Sequence, residues 1–282
     1  MVDVYLNKLL QVAGVTSTPA AGDQAAVLLA LEEAAFRFGA QAMQNAASIM
    51  ARGLGLVTPG GDPQPVDPGW LRKFARLAGE VSTAEQTTFW ARVFGLEVAF
   101  PQTISGATLE VLARCDDHDL QLIRRIAPLA VNDFIVMASN ALLEDKGLTV
   151  DACSQLEELG LMRPDSGYSK TFDSQREDVF STVLLYRDTA IRIEHPQHDR
   201  KLALKVRRLT RAGTQICAAV AGNADFDQLM EITRLLRRRG YSVNHSALLH
   251  RAPLRNVARH SGFVEIVPFP KRAPRVPPEE VS

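Results

Sequence analysis

Cysteine is scarce in this chain. Only Cys115, Cys153 and Cys217 occur in 282 residues, an odd and scattered set. They offer no disulfide framework and no metal or redox spacing, which fits a reducing compartment. Aromatic residues are few, at 6%. No apolar run reaches the roughly 18 residues that would announce a membrane-spanning helix. The N-terminal stretch MVDVYLNKLLQVAG lacks the basic start and long apolar run of a signal peptide. These absences argue against a disulfide-stapled secreted scaffold and a helical membrane protein, and make cytoplasm the expected location. Net charge is missing too, with 32 Lys+Arg balancing 32 Asp+Glu.

That neutrality is a sum of opposites. Residues 1–199 carry 16 basic and 26 acidic side chains, a net −10, and residues 200–282 carry 16 and 6, a net +10. Such asymmetry marks either a surface for an anionic partner or two parts of one protein that neutralise each other. Hydrophobic residues, at 46%, are sufficient for a packed core.

Four blocks follow from the punctuation. Residues 1–57 form an N-terminal helical arm. Its long Ala-, Leu- and Met-rich helix places Leu28, Leu31, Ala35, Phe38, Ala42, Ile49 and Met50 on an apolar stripe. TPGGDPQPVDPG, with four prolines and three glycines in twelve residues, breaks the chain. Residues 58–147 read as a compact helical domain rich in helix starts: Asp67-Pro68, a capping box at Ser82–Glu85, Ser105, and Asp116, Asp117 and Asp119. Pro128 is expected to kink or restart the last of these helices, which would run to about Leu143.

Residues 148–267 change texture. A short helix to Leu159 ends at Gly160, and a polar loop covers 163–178. Strands follow at Thr182–Tyr186, Ala190–Ile193 and Leu202–Leu209, then a helix headed by LTRAG. That order suggests a winged-helix-like α+β module. A further helix over Phe226–Arg239 stops at Gly240, with possible strands at Tyr241–Val243 and Phe263–Val267. Residues 268–282, with five prolines in fifteen, read as an extended tail. The fold class is therefore mainly α, a helical domain followed by a winged-helix-like α+β module.

Chemistry-bearing motifs are thin. The GxSxG, Cys–His, HExxH and GxxxxGK[ST] signatures are absent, so no catalytic residue, cofactor or metal ligand is assigned. The Asp116–Asp119 cluster is explained by helix capping. His195 and His198 in HPQH have no further ligands at a recognisable spacing. The arginines form the candidate binding set for an anionic partner. Arg207, Arg208 and Arg211 sit on the last wing strand and the next helix start. Arg251, Arg255 and Arg259 recur every four residues, the spacing of one helical face. Arg237–Arg239 also suit a helix C-terminus. The helix before the wing bears Asp151, Glu157 and Glu158 and no base, so entry into a DNA groove would be repelled.

The block DPGWLRKFARLAGEVSTAEQTTFWARVFGLEVAFPQTISGATLEVLARCDDHD resembles the signature of the bacterial Domain of Unknown Function 2806 family. The residues carrying this likeness are Trp70, Phe74, Ser82, Glu85, Gln86, Trp90, Ala91, Glu97, Pro101, Ser105, Thr108, Leu109, Leu112 and Asp116. FRFGAQAMQNAASIM, LEELGLM, LTRAG and FDQLMEITRLLRRRGY extend it from about residue 34 to 241. Gly95-Leu96-Glu97 departs from the family's Ala-Gly-Glu, and the 163–178 loop does not align. The family brings no established activity. A similarity to helical domains of abortive-infection proteins implies a phage-defence setting.

The function expected from these features is a non-enzymatic cytoplasmic interaction or assembly protein, with a protein partner or a second copy and no membrane. The alternative is nucleic-acid binding through the basic C-terminal part. An enzyme of unrecognised type would need groups such as Asp116, Asp119 and His195 to converge.

Overall fold

A computed structural model describes residues 24–57, 65–164, 167–220, 222–251 and 258–265. The start of the arm, most of the TPGGDPQPVDPG break, Arg255 and the proline-rich tail lie outside the described residues, as do the side chains of Leu28, Leu31, Arg251 and Arg259. The chain is mixed α+β, helical in its N-terminal part, with two small antiparallel sheets. It clusters into two compact units, each assembled from separated stretches. One holds the chain up to Arg124, Glu158–Leu161 and the helix that starts at Arg211; the other holds the rest.

The first unit is built on α1 (Gln24–Leu54), α2 (Pro68–Gly79), α3 (Ala84–Ala99), α4 (Gly106–Leu112) and most of α5 (Asp117–Ile126). Its helix starts follow local chemistry. Asp67 accepts from the Trp70 amide at 2.8 Å with Pro68 in the first turn. Thr83, not Ser82, caps α3, accepting from the Gln86 amide at 3.1 Å. Ser105 caps α4 through the Thr108 amide.

Close packing then relies on residues without bulk. A Cβ on Gly53 would collide with the Ala91 carbonyl, one on Gly95 with the Gly53 carbonyl, and one on Gly79 with Ala42. These contacts press α1 onto α2 and α3 through Ala42, Ala46, Ile49 and Gly53. Phe38 is 40% exposed and departs from the expected buried stripe. Trp70, Phe74, Trp90 and Phe94 fill the space beneath, with ring centroids 5.1–6.4 Å apart.

The helix expected to reach Leu143 stops at Ile126. A single 3₁₀ turn containing Pro128 follows, then a hairpin of β1 (Ala130–Val131) and β2 (Phe134–Val136). The turn is Asn132-Asp133, with Asn132 at φ +55°. Asn tolerates that backbone better than other side-chain-bearing residues, and the apolar residues around it suit strands. Two short helices come next, α6 (Asn140–Asp145) and α7 (Val150–Glu158), the latter closed by Gly160 at φ +74°.

The strands do not form the single wing expected of 182–209. β3 (Ser169–Phe172), inside the stretch read as a loop, pairs with β6 (Leu202–Arg208), which also pairs with β2. β4 (Phe180–Tyr186) and β5 (Thr189–His195) make a hairpin in the other sheet, where β5 continues onto β7 (Ser242–Arg251). β8 (Ala258–His260) and β9 (Val264–Glu265) pair with β7. β6 alternates buried and exposed, the mark of a sheet covered on one face, whereas β4 is buried along nearly its whole length. α8 (Arg211–Ala219) belongs to the first unit and α9 (Phe226–Arg238) to the second. Leu229, Met230, Ile232 and Leu236 of α9 join Phe134, Tyr186 and Ile191 in the second unit's core. Phe226, the first residue of α9, shares the helical spacing of these apolar residues yet is 58% exposed.

Candidate functional site

The carboxylate cluster is engaged with its own backbone. Asp116 accepts from the Asp119 amide at 2.9 Å, and Asp119 accepts from the Asp116 amide at 3.0 Å. Asp117 accepts from the Thr83 hydroxyl at 2.7 Å. The three acids therefore start α5 and tie it to the start of α3. His195 is occupied as well: its Nδ1 accepts from the Gln197 amide, and its Nε2 lies 2.8 Å from the Arg200 guanidinium. Its ring meets Tyr241 edge-on at 5.4 Å. Among the described residues, no group of three or more His, Cys, Asp or Glu stands ready to hold a metal ion.

The candidate arginines divide by environment. Arg207, four-fifths buried, faces Glu157 at 3.6 Å. The guanidinium carbon of Arg208 stands over Tyr168, 3.9 Å from the ring centroid. Arg211 opens α8 and is exposed. Arg251 and Arg259 stand on strands β7 and β8, so the helical face expected from their four-residue spacing is not formed. A hairpin brings these positions close in register by pairing instead, with Arg251 opposite Ala258 and His250 opposite Arg259. Arg255 lies outside the described residues. At the end of α9, Arg239 donates to the Ala203 carbonyl at 2.6 Å, while its own carbonyl accepts from Arg200 at 2.9 Å.

Three buried polar side chains escaped the sequence reading. Gln215 of α8 accepts from the Ser105 amide at 3.0 Å and from the Thr108 hydroxyl, locking α8 to the head of α4. Its only sequence signal is a polar residue on an otherwise apolar helix face. Tyr186 donates to the Pro128 carbonyl at 2.7 Å and accepts from the Asp225 amide, and burial raises its pKa. His245 touches the Thr233 hydroxyl at 3.0 Å, and burial, aided by the Arg237 charge, pushes its pKa down to about 4. All three cysteines are buried and outside any disulfide; burial pushes Cys115 up to about 12.

Two grooves remain. One, of about 510 Å³, lies between α6 and α9 and is walled by Leu142, Asp145, Phe226, Asp227 and Arg234. Lys146 closes its neighbourhood with ion pairs to Asp225 and Asp227 at 2.9 and 2.8 Å. The other, of about 490 Å³ and more apolar, lies between α1 and α2 along Met43, Ala46, Ala47 and Met50, with Arg76 and Glu80 on its far bank.

Several residues that shape the first unit's core and helix starts, among them Trp70, Phe74, Trp90, Ser105 and Asp116, also carry the family likeness. Residues 37–143 match the family model described as "Protein of unknown function (DUF2806)". The resemblance read from the sequence is thus to this family, over a narrower span than residues 34–241. LEELGLM, LTRAG and FDQLMEITRLLRRRGY fall beyond the match. Neither a curated protein nor a solved structure matches the chain.

Within the DUF2806-like stretch the signature residues have structural duties. Trp70, Phe74 and Trp90 make the aromatic cluster. Glu97, 2% exposed, accepts from the Gln102 and Ile104 amides at 2.7 Å each and so forms the turn in which Gln102 sits at φ +67°. Burial raises its pKa while those amides oppose the rise. Ser105 and Asp116 start helices, and Leu109 and Leu112 are buried.

Proposed function

We propose that this protein works by binding another protein rather than by turning over a substrate. The observation that carries this reading is the distribution of exposed apolar bulk. Among the described residues, six of the eleven exposed large hydrophobic side chains lie on α1 or within two residues of its end: Leu29, Phe36, Phe38, Met43, Leu54 and Leu56. A surface helix normally turns such residues inward; a concentration of them outward marks an interaction surface.

The second unit supports the same reading. We infer a winged-helix-like module from α6, α7 and the strand path β2-β6-β3, with the β4–β5 hairpin set apart in the other sheet. We infer that this module faces protein, not DNA. Its α7 presents Asp151, Glu157 and Glu158 and no basic residue, so it would repel phosphates. Two of the arginines nominated for phosphate contact are committed to Glu157 and Tyr168.

The test is photo-cross-linking in the native cell, with a photoreactive phenylalanine analogue in place of Phe36. A discrete adduct to a protein is expected. Irradiation that leaves the chain free of protein adducts at both Phe36 and Met43 sinks the reading.

A further inference from the structure

The turn between β5 and β6 meets the end of α9 in one basic corner of the second unit. Arg200 in that turn donates from Nη2 to the Arg239 carbonyl at 2.9 Å. Arg239 donates from Nη1 to the Ala203 carbonyl of β6 at 2.6 Å. The Arg200 guanidinium also stands over the Tyr241 ring, 5.0 Å from its centroid. Both side chains are anchored by neutral groups, so their positions are fixed while their charges stay uncompensated. Among the described residues no carboxylate forms an ion pair with Arg200, Arg238 or Arg239. Nearby acids offset little. Glu194 is engaged by Arg192, and Asp173 reaches Lys201 at 3.9 Å with both side chains largely exposed. Asp199 is the one acid within the turn, and it is exposed.

The corner also holds more donors than acceptors. His195 Nδ1 accepts from the Gln197 amide at 3.1 Å, so the neutral ring carries its proton on Nε2. That nitrogen lies 2.8 Å from Nη1 of Arg200, which can only donate. The other tautomer merely moves the mismatch to the Gln197 amide. A Cβ on Gly240 would lie 3.8 Å from Nε2, so glycine leaves that side of the ring bare. An oxyanion supplies the acceptors that are missing here, because its oxygens accept from several N–H groups at once.

We propose that this corner binds a phosphate monoester through Arg200, Arg238 and Arg239, with His195 Nε2 as a further donor. The proposal goes beyond the interaction reading above and does not rest on it. The C-terminus of α9 opposes an anion with about half a negative charge. One cation cancels that, and Arg237 in the last turn is there to do so. The remaining guanidinium groups exceed it, and that excess suits a dianion better than a lone carboxylate. Their planar forks match phosphate oxygens. A nucleic-acid strand fits less well. Tyr241, the ring of this corner, is 5% exposed and lies against Arg200 and His195, so it leaves no face for a base to stack on.

The monoester has two sources, a small phosphorylated molecule or a phosphorylated side chain of a protein. Calorimetry on the full chain at low salt separates them. The probes are glycerol 3-phosphate, a phosphoserine peptide, the same peptide with glutamate in place of phosphoserine, and an oligothymidylate with hydroxyl ends. At least one monoester probe should bind, and the tighter one names the source. The double variant R200Q/R239Q should weaken that binding by about tenfold or more, since each lost contact is a charge-assisted hydrogen bond. Both arginines also hold backbone carbonyls, so R238Q provides an independent arm. Arg238 is exposed, and its loss should weaken binding roughly threefold with an unchanged melting temperature.

Failure of both monoester probes to bind overturns the proposal, as does binding that R238Q leaves unaltered. Equal binding of the glutamate peptide overturns it too, because the corner would then respond to charge alone. Oligothymidylate that binds more tightly than either monoester returns the corner to a nucleic-acid backbone. None of these outcomes bears on the cross-linking at Phe36 and Met43, so the two readings fail separately.

Discussion

Gly213 and the carbonyl of Leu161 are in such close approach that no side chain fits between them. The glycine lies in the first turn of α8, and Leu161 ends the short stretch that follows α7. A methyl at position 213 would collide with backbone, which cannot rotate aside as a side chain can. Gly213→Ala should therefore destabilise the first unit by about 3 kcal/mol, the upper end of the overpacking range. Gly39→Ala, with nothing near its Cβ, should be neutral or stabilising by roughly 0.5–1 kcal/mol, the ordinary gain of helix propensity. Urea unfolding of the two variants beside the parent checks the contrast. Equal midpoints would remove the close approach as an explanation for the glycine.

Phe74 sits at the centre of the aromatic cluster, fully buried, touching Trp70, Trp90 and Phe94. Phe74→Ala and Trp90→Ala should each cost roughly 3–5 kcal/mol, the sum of lost transfer energy and an unfilled cavity. Trp70→Phe should cost less. The Trp70 indole nitrogen is buried without a hydrogen-bond partner, so its removal relieves one penalty while packing is partly kept. Thermal melts followed by far-ultraviolet dichroism rank the three. A melting temperature unchanged by Trp90→Ala would overturn its place in the core.

The helix starts at Asp67, Ser105 and Asp116 were legible because capping is local: acceptor and amide lie three residues apart. The Pro128 region was not. Val131, Phe134, Ile135 and Val136 are apolar enough for a helix or a strand, and only the pairing of β2 with β6, about seventy residues away, selects the strand. The partition of β5 and β6 between two sheets is hidden for the same reason. The four-residue recurrence of Arg251, Arg255 and Arg259 suggests a helix, yet Arg251 and Arg259 stand on paired antiparallel strands.

His245 gives a pH signature. Thr233 donates its hydroxyl to the Leu229 carbonyl at 2.8 Å, so the imidazole Nε2 must donate to the Thr233 oxygen, and Nδ1 is buried without a partner. A second ring proton would be an unpaired buried charge near Arg237. The folded pKa is therefore pushed from 6.5 to about 4, and the unfolded chain binds the proton more readily. The stabilisation is fully present above pH ~6.5 and drains away as pH falls toward ~4, by on the order of 3 kcal/mol. His245→Gln keeps an amide donor for Thr233 and removes the titration. Denaturant midpoints should converge for parent and variant as pH drops through this window; a constant difference between them would contradict the assignment.

The arginines nominated for phosphate contact should separate by what they already hold. Arg207 is four-fifths buried against Glu157, whereas Arg211 is exposed at the head of α8. Arg207→Ala leaves Glu157 without its partner in a partly buried place, so it should lower stability by roughly 1 kcal/mol and leave any nucleic-acid retention unaltered. If the chain holds nucleic acid weakly at low salt, Arg211→Ala should reduce that retention and the slope of its salt dependence, with an unchanged melt, because an exposed cation can act only through the ligand. Filter binding across a salt series, paired with melts of the same samples, distinguishes the two effects. Loss of retention on Arg207→Ala with no loss of stability would mean that the Glu157 pair opens to bind phosphate, and would return this arginine to a binding surface.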